Sequence, residues 1–272
     1  MSTSATVRRP AVAGRFYPGR RDDLLREIRD YTSIKAEKVR ALGCLSPHAG
    51  YMYSGHVAGA VFAQLELPTR YIILCPNHTG AGEPLSIMSE GSWLTPLGEV
   101  AIDTELARTL QSRFPLLHED SAAHHAEHAI EVQLPFIQSL VREFTFVPIV
   151  IGTAHFEALS ALGATIAAAI KELNENVLIV ASSDMNHYED DATTRVKDSL
   201  AIERVLALDP QGLHRVVQEQ DISMCGYGPG VAMLTAANRL GAQKAELVKY
   251  ATSGDISGDR DQVVGYAGIV VS

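Results

Sequence analysis

Three histidines each follow closely on an apolar, strand-like run. His48 closes Ala41-Leu-Gly-Cys-Leu-Ser-Pro-His48, and His78 closes Tyr71-Ile-Ile-Leu-Cys-Pro-Asn-His78. His187 follows Val177-Leu-Ile-Val-Ala-Ser-Ser-Asp-Met-Asn-His187. In α/β sheets, ligands bind in the crevice outside the carboxyl ends of the strands. Imidazoles delivered to such ends can converge on one point although they are far apart in the chain. Imidazole is also the commonest protein ligand for a transition metal and the usual acid–base group near neutral pH. Taken alone, His48 or His78 reads more simply as a buried ring satisfied by a carbonyl, and His187 as a surface residue. The repeated strand-end placement is what points to a metal-dependent site.

Asp184 stands three residues before His187, where a carboxylate can orient the ring; its plainer reading is a turn cap. Cys225 lies in the Gly-rich turn Cys225-Gly-Tyr-Gly-Pro-Gly230, just ahead of a predicted helix. A helix N-terminus favours the thiolate, a ligand or nucleophile. Cys44 and Cys75 fall within predicted strands, where a small apolar side chain is the default. The segment His124-His125-Ala126-Glu127-His128 matches His-x-x-Glu-His, the inverted zinc-peptidase motif. On a helix, His124 and His128 would share one face; a polar helix start is the structural alternative. His155 has only its strand-end position to support it, and His56, His118 and His214 have no supporting context. No Walker loop or dinucleotide fingerprint is present, so no nucleotide cofactor is expected.

The elements that must position these groups can be read from periodicity. Residues 22–34 have helical spacing, and 41–46 read as a buried strand. Residues 54–65 read as a helix, 70–75 as a second buried strand, and 84–90 as a strand with one exposed face. Asp103 can cap a helix carrying Leu106, Leu110 and Phe114. A strand spans 144–151, an amphipathic helix runs from Leu159 to Leu173, and 177–181 form a third buried strand. Two helices follow, the second opening at Asp209-Pro210. A helix over 228–240 precedes strands at 245–251 and 263–271. Strands alternating with helices imply a mostly parallel sheet covered on both faces, with the last two strands pairing antiparallel.

The chain has 272 residues, 46% of them hydrophobic, and a formal net charge of −9. With no linker or composition break, one domain over 1–272 is expected. The acidic balance and the lack of a basic patch argue against nucleic acid. Three cysteines without a Cys-x-x-Cys pair suggest no disulfide framework. The N-terminus carries no signal-peptide core, and no apolar run is long enough for a membrane span, so a cytoplasmic protein is expected.

Together the motifs resemble the Memo family, in particular its branch labelled AmmeMemoRadiSam system protein B. The matching elements are Ala13-Gly14-Arg15-Phe16-Tyr17, Pro47-His-Ala-Gly-Tyr51 with Tyr53-Ser-Gly55, Pro76-Asn-His78 and Thr95-Pro-Leu97. They continue with Glu127-His128-Ala-Ile-Glu131, Leu134-Pro135, Ser182-Ser-Asp184 with His187, and Cys225-Gly226. The resemblance implies a single-domain αβα sandwich with a central mixed, mostly parallel sheet, like that of class III extradiol dioxygenases. It implies metal ligation by His48, His78 and Cys225. It makes His187 the acid–base residue with Asp184 orienting it, and puts Tyr51, Glu127 and His128 around the substrate or behind the ligands. One transition metal is expected, iron first, with copper or zinc as alternatives, since thiolate ligation is softer than carboxylate. The implied function is a non-heme, dioxygenase-like redox enzyme acting on a small substrate, aromatic compounds included, with functional partners in an AmmeMemoRadiSam system. Two alternatives stand beside it: a non-enzymatic metal-dependent binding or signalling module using the same pocket, and a zinc hydrolase built on His124, Glu127 and His128.

Overall fold

The computed structural model describes residues 6–34 and 37–272. Residues 1–5, part of the N-terminus read above as lacking a leader, lie outside them. In chain order the elements are β1 (Val7–Arg8), α1 (Arg21–Thr32), β2 (Gly43–Ser46), α2 (Tyr51–Gln64), β3 (Arg70–Pro76), β4 (Leu85–Ile87), β5 (Ser92–Thr95) and β6 (Gly98–Ile102). Next come α3 (Thr104–Arg113), β7 (His118–Glu119), α4 (Ala122–His125), α5 (Leu134–Leu140), β8 (Thr145–Ile151), α6 (Phe156–Leu173), β9 (Val177–Ser182) and β10 (His187–Glu189). The chain ends with α7 (Asp191–Leu206), α8 (Pro210–Glu219), α9 (Tyr227–Leu240), β11 (Ala245–Thr252), α10 (Gly254–Ser257) and β12 (Val263–Val271).

The longest apolar runs become the parallel centre of the sheet, in the order β8-β3-β9-β2. These strands are apolar at nearly every position because both of their faces are buried. Ile72 and Leu74 enter one core with Leu106, Leu162, Ile166, Val231 and Met233. Tyr71, Ile73 and Cys75 enter the other with Leu24, Ile28, Val61, Phe62 and Phe136. The result is an αβα sandwich. Beyond β2 the sheet turns antiparallel through β12 and β11, and at the far side β5 and β6 form a hairpin. The sheet is therefore mixed, as its pattern indicated.

Ser46 pairs with Ser182, and Leu74 with Ala181, so β2, β3 and β9 end at one edge of the sheet. His48, His78 and the His187 segment all leave from that edge. Among the described residues no helix is long and apolar enough to cross a membrane.

Three expectations change. Helix α2 starts at Tyr51 rather than 54. The expected strand over 84–90 shortens to Leu85–Ile87, and the β5–β6 hairpin was too short to show a period. The helix expected to carry both His124 and His128 does not form: α4 stops at His125. The Glu127 carboxylate instead accepts the backbone N–H groups of His128 and Ala129, at 2.8 and 2.9 Å. Such local side-chain bonds compete with the helical ladder.

Candidate metal centre

His48, His78 and His128 present ring nitrogens that all lie within 4.8 Å of one another, so these three residues could hold a metal ion. Their ring centroids are 5.0, 5.5 and 4.7 Å apart. Cys225 Sγ is 3.2 Å from His48 Nε2. Metal–nitrogen and metal–sulfur bonds of about 2.0 and 2.3 Å put neighbouring N and S ligands about 3.0–3.5 Å apart. The observed separation therefore suits both donors on one ion. His128, expected around the substrate or behind the ligands, or else in a zinc-hydrolase motif with His124, sits with the two strand-end histidines.

The hydrogen bonds behind the rings decide which nitrogens are free. Ser182 Oγ–H donates to the Ala129 carbonyl at 2.7 Å, which can only accept, and Gln133 Nε2 donates to Ser182 Oγ at 2.9 Å. The remaining lone pair of Ser182 therefore accepts from His48 Nδ1–H at 2.9 Å. That leaves His48 Nε2 as an acceptor facing Cys225. His78 Nδ1–H donates to Glu127 Oε1 at 2.9 Å, and the His78 backbone N–H donates to Oε2 at 2.7 Å. This is the carboxylate–histidine arrangement that fixes the tautomer of a metal-binding imidazole and raises its basicity. Gln133 and Ser182 act here without any chemical signature in the sequence. Ser182 stood in a recognised motif, while Gln133 had no signal beyond its place beside Leu134-Pro135.

At His48 and His128 the electrostatics favour the neutral imidazole, the state that ligates. Burial, with neighbouring His128 and His78, holds His48 well below the usual imidazole range. Burial lowers His128 to about 4, against the pull of Glu127. Burial also acts on His78, but the hydrogen bond and charge of Glu127 prevail and raise it. The Cys225 thiol is pushed up by burial and by the charge of Asp184. A bound cation would supply the charge this thiol needs to ionise.

These groups line a cavity of about 580 Å³ with Phe16, His187, Tyr188 and Val264. Among the described residues no lysine or arginine lines it. A second cavity of about 340 Å³, beside Arg40, Glu66 and Glu175, is lined by no histidine or cysteine among the described residues. Phe16 was quoted in the sequence only as part of a motif. Its ring packs 4.7 Å from His128.

His187 faces the cavity but is not oriented by Asp184. Its Nδ1–H donates to the Ser223 carbonyl at 2.8 Å, and its backbone N–H donates to Ser223 Oγ at 2.7 Å. Asp184 instead accepts from the His48 backbone N–H at 2.7 Å and so holds the His48 turn; burial pushes its carboxyl up to about 7. Tyr51 lies behind the site, its hydroxyl donating to the Val132 carbonyl at 2.7 Å. His124 is buried away from the cluster, with Nδ1–H donating to the Asp120 carbonyl at 2.8 Å and its ring 6.1 Å from Trp93. With α4 ended and His124 turned aside, the His124–Glu127–His128 hydrolase arrangement is not formed.

Ser223 is itself held by Asn186 Oδ1, which accepts its N–H and its hydroxyl, each at 3.0 Å. Asp198 in turn accepts the Asn186 N–H at 2.8 Å and the Tyr250 hydroxyl at 2.7 Å. Burial pushes the Asp198 carboxyl from 3.8 up to about 7 despite these bonds. The unfolded chain ionises first, so the stability from this group is full below about pH 4 and is lost as pH rises toward 7. Asp198→Asn removes the charge and keeps an acceptor. We expect it to match the parent at pH 4 and to be more stable by about 2 kcal/mol at pH 8. Urea unfolding at both pH values checks this; a difference that does not change with pH refutes it.

A family model described as "Memo-like protein" matches residues 8–270. A MEMO1 family protein of Methanosarcina mazei is 44% identical over 97% of this chain and 99% of its own length. One from Pyrobaculum aerophilum is 43% identical, covering 97% and 98%. The crystal structure of an uncharacterized Escherichia coli K12 protein superposes with a TM-score of 0.56 at 12% identity, covering 85% of this chain and 100% of that one. At that identity the likeness concerns the fold alone.

Proposed function

This chain belongs to the Memo family, and from that premise we propose that it binds one transition-metal ion and uses it in redox chemistry on a small substrate, aromatic compounds included. The observation that carries the reading is the convergence of three imidazoles and one thiol on a single cavity. The proposed ligands are His48, His78 and Cys225, with His128 as a further nitrogen. Iron is the ion proposed, with copper next. When bound, it supplies Lewis-acid and electron-transfer chemistry.

The chain's own residues supply the rest. His187 keeps its Nδ1 proton on Ser223, which leaves Nε2 free to take a proton from a substrate hydroxyl. Phe16, Tyr188 and Val264 offer apolar walls. Among the described residues the lining carries no lysine or arginine, which suits a neutral substrate better than a phosphorylated one.

The test is metal analysis of anaerobically purified full-length protein. The parent is expected to hold about one ion per chain, and His48→Ala and His78→Ala to lose it. Comparing Cys225→Ser with His128→Ala ranks the other two donors. Equal metal content in all five proteins refutes the site. For the redox step, oxygen uptake with hydroxylated aromatic compounds is expected from the iron-loaded parent. His187→Ala is expected to keep its iron and lose most of the uptake.

A further inference from the structure

The residues that bring His128 into the site are not held by a helix or a strand. Positions 126–130 form an irregular turn between α4 and the short 3-10 turn at Glu131–Gln133. One side chain from the far end of the chain grips that turn. Arg8, its side chain 3% exposed, donates from Nη2 to the Glu127 carbonyl at 2.6 Å and from Nε to the His124 carbonyl at 3.1 Å. Its Nη1 ion-pairs with the fully buried Glu131. Its guanidinium carbon lies 4.2 Å from the Trp93 ring centroid. One planar fork thus ties residues 124, 127 and 131 together, which a lysine cannot do.

Glu131 extends the grip to the N-terminal arm. It accepts the Ala11 and Val12 N–H groups at 2.8 and 3.1 Å and the Tyr17 hydroxyl at 2.6 Å. The same arm returns over the site, where Phe16 packs on His128 and accepts the Tyr51 N–H at 2.7 Å. Glu127, at the centre of the turn, holds His78.

We propose that the Arg8–Glu131 ion pair is a positioning device for the metal centre: it sets the turn so that Glu127 reaches His78 and His128 faces the other imidazoles. A buried ion pair is weak evidence for stability, because desolvation offsets its attraction. A geometric role accounts for the two carbonyl contacts as well as the pair.

The metal readout rests on the metal-binding reading; the other readout does not. Full-length Arg8→Met and Arg8→Lys are compared with Val217→Ala, a core change in α8 that controls for lost stability. In the metal-free protein, the His78 Nδ1–H signal in nitrogen-edited NMR reports the bond to Glu127. It is expected in the parent and the control, lost in Arg8→Met, and weakened in Arg8→Lys. Cobalt(II) affinity is expected to fall about 10- to 100-fold in Arg8→Met, less in Arg8→Lys, and to hold in the control. If Arg8→Met does not fold, Arg8→Lys against the control decides in the same way. An unaltered His78 signal, or affinities that fall equally in the control, overturns the proposal. A parent that binds no cobalt while the NMR difference stands refutes the metal reading and upholds the positioning role.

Discussion

Replacing Glu127 with alanine is expected to weaken metal binding about 100-fold, the upper range for loss of a carboxylate behind a metal-binding histidine. The same change is expected to lower folding stability by about 3 kcal/mol, because several donors lose one fully buried acceptor together. Those donors are the backbone N–H groups of His78, His128 and Ala129 and the Nδ1–H of His78. Both losses have one origin. The carboxylate is completely buried, and hydrogen bonding from His78 keeps it ionised against the effect of burial. Glu127→Gln retains the shape and one acceptor, so a smaller loss of affinity is expected. Metal titration and thermal unfolding of the two variants check this. Parent-like affinity in Glu127→Ala would mean that His78 needs no partner to reach the ion.

Gly226→Ala is expected to remove the thiolate from the metal site while leaving the histidines in place. A Cβ at this position would meet the Ser182 carbonyl oxygen and the Ser183 Cβ, each at 2.4 Å. The strand end cannot yield easily, because Ser182 is bonded to His48, Gln133 and Ala129. The turn must back away instead, and it carries Cys225 with it. Overpacking of this kind costs about 1–3 kcal/mol. In the cobalt(II)-loaded protein, the sulfur-to-metal charge-transfer band is expected to disappear while visible bands from nitrogen ligation remain. Cys225→Ser is expected to lose the same band without the loss of stability. Persistence of the full band in Gly226→Ala would show that the turn adjusts around the added methyl.

The strand-end histidines show how far residue pattern reaches. An uninterrupted apolar run marks a strand buried on both faces, and a doubly covered parallel sheet places its ligands at the carboxyl ends. Both steps are local, so His48, His78 and His187 were legible as candidates, as was Cys225 from its turn ahead of a helix, and the motif resemblance assigned their roles. His128 was legible only as part of a short histidine cluster. Its pattern suggested a helix shared with His124, and that helix is prevented by a carboxylate that turns back on its own backbone.

What the amino-acid sequence determined by itself was the layered α/β architecture and the strand-end origin of two histidines of the candidate metal centre. Hydrophobic period and strand–helix alternation are properties of neighbouring residues and need no knowledge of distant ones. The tertiary structure alone decided that Asp184 supports His48 rather than His187, that Ser223 orients His187, and that His128 joins the cluster. Each of these depends on hydrogen bonds between segments that only folding brings together; the grip of Arg8 on Glu131 spans more than a hundred residues. No local period encodes such a contact, because its partners are selected by the geometry of the assembled sheet.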